Sequence, residues 1–230
     1  MKHIPFSNRF FSILLFLSLF STTAFAQNVE INLDDLISET QFMSDDPDLM
    51  RMVWYIPVEY WEATFSNDPS ISDDEVKEII DILDDYELFF VIDGVIGTFG
   101  NVRYQPRSEI KRNLRLHAPS GEYYPLDDNE INGDAKSMMT IMSPILASMM
   151  GTMGENMQFF FFKGKNKNKR LINPTGNESF KVQVASEMFE FNLPLASLLP
   201  PKFCPEDNAK MKGTWVYCPF HGTTLVDKAN

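Results

Sequence analysis

Both cysteines of this chain, Cys204 and Cys218, and one of its three histidines, His221, fall in one short C-terminal stretch. That stretch reads Phe203-Cys204-Pro205-Glu206-Asp207-Asn208, then Gly213-Thr214-Trp215-Val216-Tyr217-Cys218-Pro219-Phe220-His221-Gly222. Thiolate, imidazole and carboxylate are all ligands for zinc, and a pair of thiols can alternatively close a disulfide. No other stretch combines residue types and spacing in a way that suggests chemistry. The chain has no P-loop, no G-x-G-x-x-G after a strand, no G-x-S-x-G and no H-E-x-x-H. Neither His117 nor His221 has a convincing nucleophile beside it in sequence, so the residues point away from an enzyme.

The two halves of the stretch share a pattern: Cys204-Pro205-Glu206-Asp207-Asn208 and Cys218-Pro219-Phe220-His221-Gly222. It resembles the paired Cys-Pro-x-Cys-Gly knuckles of zinc ribbons and rubredoxin-like sites. The resemblance implies two tight turns, each bringing ligands three positions apart onto one metal, with positive φ at the residue that follows. Gly222 adopts that conformation without steric cost, and Asn208 tolerates it better than most residues. It implies a ligand set of Cys204, Asp207, Cys218 and His221, where the family carries four thiolates. The resemblance covers about twenty residues at one end of the chain and says nothing about the rest.

Three states of the cysteines are open. Tetrahedral sulfurs on zinc lie about 3.8 Å apart, and a disulfide needs about 2.05 Å, so little movement separates a metal site from a Cys204–Cys218 staple. Free thiols are the third. Trp215 and Tyr217, in phase on one strand, are expected to pack on the main sheet.

The compartment bears on that choice. Lys2, His3 and Arg9 precede the apolar run Phe10 to Phe20, and Ala24-Phe25-Ala26 is a small-x-small cleavage signal. This reads as a secretory signal peptide over 1–26, sending the protein to an oxidising periplasmic or extracellular location. No other stretch is long and apolar enough to span a bilayer. The formal net charge is −12, which disfavours nonspecific binding to nucleic acid or anionic membrane.

The chain divides into the leader, an acidic flexible arm over 27–45, an α+β domain over 46–200 and the tail over 201–226. Within the domain, an antiparallel sheet packed by two to four helices is expected. Asp46-Pro47 and Pro57 each suit a helix start. Ser72 and Glu75 form an S-x-x-E capping box ahead of a helix over 73–85, whose buried stripe is Val76, Ile79, Ile80 and Leu83. The run Glu87 to Ile92 reads as a strand, with Asp93-Gly94 as a hairpin turn returning through Phe99. Leu114 and Leu116 alternate, leaving His117 toward solvent. Asp134 to Met150 is helical in composition but interrupted by Pro144, with Ser143 as a fresh N-cap, which predicts either two short helices or one kinked helix. Met157 to Phe162 reads as a central strand, and Phe180 to Ala185 with Met188 to Leu193 complete the sheet.

Two further clusters admit both a bland and a chemical reading. Met139 with Met142, and Met150 with Met153, could hold Cu(I) through thioethers; filling an irregular core is the alternative. Lys163 to Arg170 could catch an anionic partner, or form a solvated loop. The sequence as a whole therefore supports two descriptions. One is an exported non-enzymatic binding or structural protein with a stapled tail and no cofactor. The other is a metal-handling protein using zinc at the tail or copper at the methionines.

Overall fold

The computed structural model describes residues 31–228; the expected signal peptide lies outside them. In chain order the elements begin with α1 (Leu33–Thr40), β1 (Gln41–Met43), β2 (Leu49–Ile56), α2 (Val58–Ser66), α3 (Asp73–Leu83) and β3 (Tyr86–Ile96). They continue with β4 (Val102–Tyr104), α4 (Arg107–Asn113), β5 (Leu114–Ala118), β6 (Gly121–Tyr123), α5 (Gly133–Met149) and β7 (Gln158–Lys163). A small hairpin β8 (Lys165–Asn166) and β9 (Lys169–Arg170), then β10 (Phe180–Val184) and β11 (Glu187–Phe191), precede the tail strands β12 (Lys202–Phe203) and β13 (Lys210–Met211). All strand pairs are antiparallel, so the class is α+β.

The body is built on two sheets rather than one. The first runs β1-β2-β3-β4 with β7 also on β3; the second runs β11-β10-β5-β6. Period-two alternation in β2 and β3 sends Val53, Tyr55, Phe89 and Val91 toward the second sheet. Met52, Trp54, Ile56, Leu88, Phe90 and Ile92 point the other way, into a core covered by helices. Both faces of β3 are covered, which is why Glu87 to Ile92 reads as a continuous apolar run. Between the sheets Phe180 stacks on its cross-strand partner Phe191 at 4.6 Å, and Tyr55 meets Phe180 edge-on at 5.1 Å. Such aromatic pairs contribute about 0.5–1.5 kcal/mol each beyond the area they bury.

Several expectations change. β3, not β7, is central: it pairs with β2 along one edge and with both β7 and β4 along the other. Asp93-Gly94 is no turn but lies inside β3. Gly94 suits this position because β4 passes so close that a Cβ would stand 2.8 Å from Val102 Cγ1. Asp93 is buried there as the partner of Arg51. The acidic segment is not a flexible arm from Leu33 onward: Asn32 caps α1 by accepting from the N–H of Asp34 and Asp35, Leu36 is buried, and β1 joins the sheet. No helix starts at Asp46-Pro47, which turns the chain into β2. α5 runs through Pro144 as one helix. Ser143 does not cap a new one, because its hydroxyl donates back to the Met139 carbonyl. α3 matches its expected start, with the reciprocal capping box of Ser72 and Glu75 formed.

Candidate metal centre

The tail is organised by two turns with the same backbone hydrogen bonds. In the first, Asn208 N–H donates to the Cys204 carbonyl at 2.8 Å and Cys204 N–H to the Ala209 carbonyl at 3.0 Å. In the second, Gly222 N–H donates to the Cys218 carbonyl at 2.8 Å and Cys218 N–H to the Thr223 carbonyl at 2.8 Å. Asn208 has φ of 59° and Gly222 of 69°, the left-handed conformation that each turn demands and that these two residues supply. β12 and β13 frame the first turn, and Tyr217 bridges Thr224 across the second. The turns are tied together where Phe203 N–H and C=O bond to Val226 at 2.7 and 2.9 Å.

This framework has its own small core. Cys204, Met211, Cys218 and Leu225 are buried against Ala209, apart from the two large clusters of the body. Glu39 of α1 sits beside the junction, accepting from Ser197 N–H and Oγ at 3.0 and 2.9 Å, with Lys212 Nζ at 3.6 Å. Gly213 passes so near the chain at Pro200 that a Cβ would lie 2.5 Å from that carbonyl oxygen.

Inside the tail, Cys204, Cys218 and His221 place their donor atoms within 4.8 Å of one another. His221 Nδ1 lies 3.3 Å from Cys204 Sγ and 3.6 Å from Cys218 Sγ. Both cysteines are buried and His221 is exposed. Cys204 and Cys218 are free thiols in this structure. Burial pushes the Cys204 thiol up, but hydrogen bonding from the Glu206 backbone N–H, His221, Cys218 and Thr223 outweighs it and leaves the thiol below its ordinary value. His221 is raised, first by its hydrogen bond to Cys204, so thiolate and imidazolium support each other.

The fourth expected donor, Asp207, lies beside Cys204, and its side chain hydrogen-bonds that thiol. Asp207 is exposed and outside the three-residue cluster, and its Oδ1 accepts the Ala209 N–H at 3.0 Å. The Ala209 hydrogen bond, followed by Cys204, holds its carboxyl below the usual range. Asp207 therefore shapes the turn, a role in keeping with its tendency to bond to the backbone two residues on. Thr223 is a contact that sequence reasoning missed: its hydroxyl lies 3.8 Å from Cys204 Sγ. Its position directly after Gly222, where the chain leaves the second turn, was the available signal.

Other expected residues go elsewhere. Trp215 and Tyr217 do not pack on the main sheet; they are exposed with Val216 and Phe220, because the tail folds on its own small core. Met139 is fully buried, and Met142, Met150 and Met153 pack against the same helical core cluster. His117 is partly exposed on the second sheet, 3.3 Å from Gln183 and 3.7 Å from Glu122. Among the described residues no helix is long and apolar enough to cross a membrane.

Comparison of the chain with known protein families, with curated proteins and with solved structures finds no match. The reading of the site rests on its own geometry: two thiols and an imidazole brought together by a pair of matched turns.

Proposed function

We propose that this is an exported, non-enzymatic binding or structural protein whose C-terminal double knuckle holds one zinc ion through Cys204, Cys218 and His221. The observation that carries the reading is the spacing of the donors. For zinc with Zn–S of about 2.3 Å and Zn–N of about 2.05 Å, tetrahedral sulfur and nitrogen ligands stand about 3.6 Å apart. The two sulfur–nitrogen separations are 3.3 and 3.6 Å. The donor set suits zinc: thiolate and imidazole together favour it over calcium or magnesium, which take oxygen. Two thiolates also balance the charge of the ion. The repeated turn pattern, with positive φ at Asn208 and Gly222, supports a zinc-ribbon-like tail. Export is supported by the leader-like pattern at residues 1–26.

A second reading has one observation in its favour: the two sulfurs share the same 4.8 Å cluster, within easy reach of a disulfide in an oxidising compartment. The tail would then be a covalent staple with no metal. Elemental analysis of the purified chain, paired with a thiol titration after denaturation, separates the two. About one zinc per chain with two reactive thiols supports the metal site. No metal and no thiols supports the staple and overturns the zinc reading.

A further inference from the structure

We propose that a cavity on the body of the protein binds a sugar acid or short acidic saccharide, with Lys167 and Lys169 taking its carboxylate and nearby asparagines its hydroxyls. The cavity measures about 660 Å³ and lies between the β8–β9 hairpin, the Pro119-Ser120 turn and residues 173–178. That volume falls within the range of small-molecule sites. No residue of the tail takes part, so the proposal stands independently of the zinc reading.

The hairpin sorts its cations between two faces. Lys165 pairs across the strands with Arg170, and Asn166 with Lys169, so period-two alternation puts the two pairs on opposite sides. Lys165 is neutralised by Asp84 and Asp85 at 2.5 and 3.1 Å, and Arg170 by Glu59 at 2.6 Å. Lys167 and Lys169 are exposed, line the cavity and form no ion pair among the described residues. In a chain of formal charge −12, two unneutralised ammoniums at one concavity mark the place where an anion is most favoured. Lys167 also has φ of 50° at the hairpin tip, followed by Asn168 at 63°. A two-residue turn with both φ positive favours Asn-Gly or Asp-Gly. Conformational preference therefore does not explain a lysine there, and a ligand for its ammonium does.

The rest of the lining sets the ligand class. Asn166, Asn173 and Asn177 line the cavity, and a side-chain amide both donates and accepts, as a sugar hydroxyl does. Asn166 Nδ2 lies 3.4 Å from Tyr123 Oη, and Asn173 Oδ1 accepts from Thr175 Oγ1 at 3.1 Å, which fixes both amides in place. The Asn177 side chain has no partner among the described residues. Glu178 lines the same cavity. Its carboxylate accepts from a hydroxyl but opposes a second anion, so the ligand carries its charge at the lysine end. No aromatic ring lines the cavity, which disfavours a nucleotide base seeking a stacking partner.

The test is calorimetric titration of the full-length protein with digalacturonic acid, maltose and sodium sulfate. Digalacturonic acid should bind saturably at one site, with maltose weaker by about tenfold or more, since hydrogen bonds to charged groups are the stronger ones. Combining Lys167→Gln with Lys169→Gln should weaken digalacturonic acid by more than about tenfold and leave the thermal midpoint unchanged. Lys163→Gln removes an exposed lysine that does not line the cavity and should change binding little. Asn177→Ala should weaken digalacturonic acid and leave sulfate unaffected. Equal losses in Lys163→Gln and the double variant would show a diffuse attraction to lysines and overturn the site. Sulfate binding as tight as that of digalacturonic acid would reduce it to a bare anion site and overturn the saccharide class. Maltose binding as tight would overturn the role of the lysines, and no saturable binding of any probe would overturn the proposal. Zinc content of the same preparation reads the tail separately.

Discussion

Cys204 and His221 are 17 residues apart in the chain, and the Sγ of one lies 3.3 Å from the Nδ1 of the other. The same nitrogen is 3.6 Å from Cys218 Sγ, so the imidazole sits against both sulfurs. Neither turn creates this arrangement alone. Cys218 and His221 belong to one turn, Cys204 to the other, and the pairing of Phe203 with Val226 brings the turns together.

Loss of a first ligand should therefore be felt far more than loss of Asp207. We expect Cys204→Ser to abolish zinc retention and His221→Ala to weaken it by more than about tenfold, since even outer partners of metal ligands are worth about 10- to 100-fold in affinity. Asp207→Ala should keep about one zinc per chain. Competition titration with a chromophoric chelator reads all three, and equal losses in His221→Ala and Asp207→Ala would contradict the three-ligand cluster.

Chelation should act locally. The tail's core of Cys204, Met211, Cys218 and Leu225 shares no residue with the body's two clusters. Treating the zinc-loaded protein with a chelator under reducing conditions should open residues 202–226 to protease while the body resists, because cleavage follows local opening. Mass spectrometry of the fragments distinguishes this from general digestion.

Arg51 is expected to be among the most sensitive positions in the body. Its guanidinium lies 2.8 Å from Asp93 on the neighbouring strand and 3.0 Å from Glu187 of the second sheet, so it joins the two sheets. Arg51 and Asp93 are each 6% exposed. Arg51→Ala leaves the Asp93 carboxylate buried without its partner, a loss of about 3–5 kcal/mol. Chemical denaturation measures it; a shift below about 1 kcal/mol would mean that water replaces the arginine.

Glu87 predicts a pH dependence. It is buried in β3 beside Tyr55, whose Oη is 2.9 Å from its Oε2, with Ile172 N–H donating to Oε1 at 3.2 Å. Burial raises its pKa to about 8, against the opposing field of Arg170. A carboxyl raised on folding holds its proton in the native state where the unfolded chain has released it. Its contribution is complete below the unfolded value of about 4.3 and is lost as pH rises through about 8. Thermal midpoints should fall across that window, and Glu87→Gln, which cannot ionise, should flatten the fall. A wild-type midpoint constant from about pH 5 to pH 9 would contradict it.

The cap of α3 offers a smaller check. Ser72→Ala removes the side-chain acceptor for Glu75 N–H and should cost about 1 kcal/mol, read as a denaturation midpoint. An unchanged midpoint would show that the capping box adds nothing to this exposed helix.

What the sequence determined by itself was local. Ser72-x-x-Glu75 names its helix start because a cap needs only four consecutive residues. The repeated Cys-Pro-x-x-(Asn/Gly) pattern marks two turns with positive φ for the same reason, and Asn208 and Gly222 adopt it. The alternation of Leu114 and Leu116 correctly buried that face of β5. Tertiary structure decided everything that depends on a distant neighbour. Asp93-Gly94 has the composition of a turn, yet the nearby β4 and the buried Arg51 hold it inside β3. The acidic segment reads as a loosely held arm, but Leu36 is buried in the helix-covered core and β1 pairs with β2. In the tail, the knuckle resemblance implies four ligands, Cys204, Asp207, Cys218 and His221. The fold brings three together and engages Asp207 with the Ala209 N–H. Residue types state which donors exist, but only packing sets where each one points.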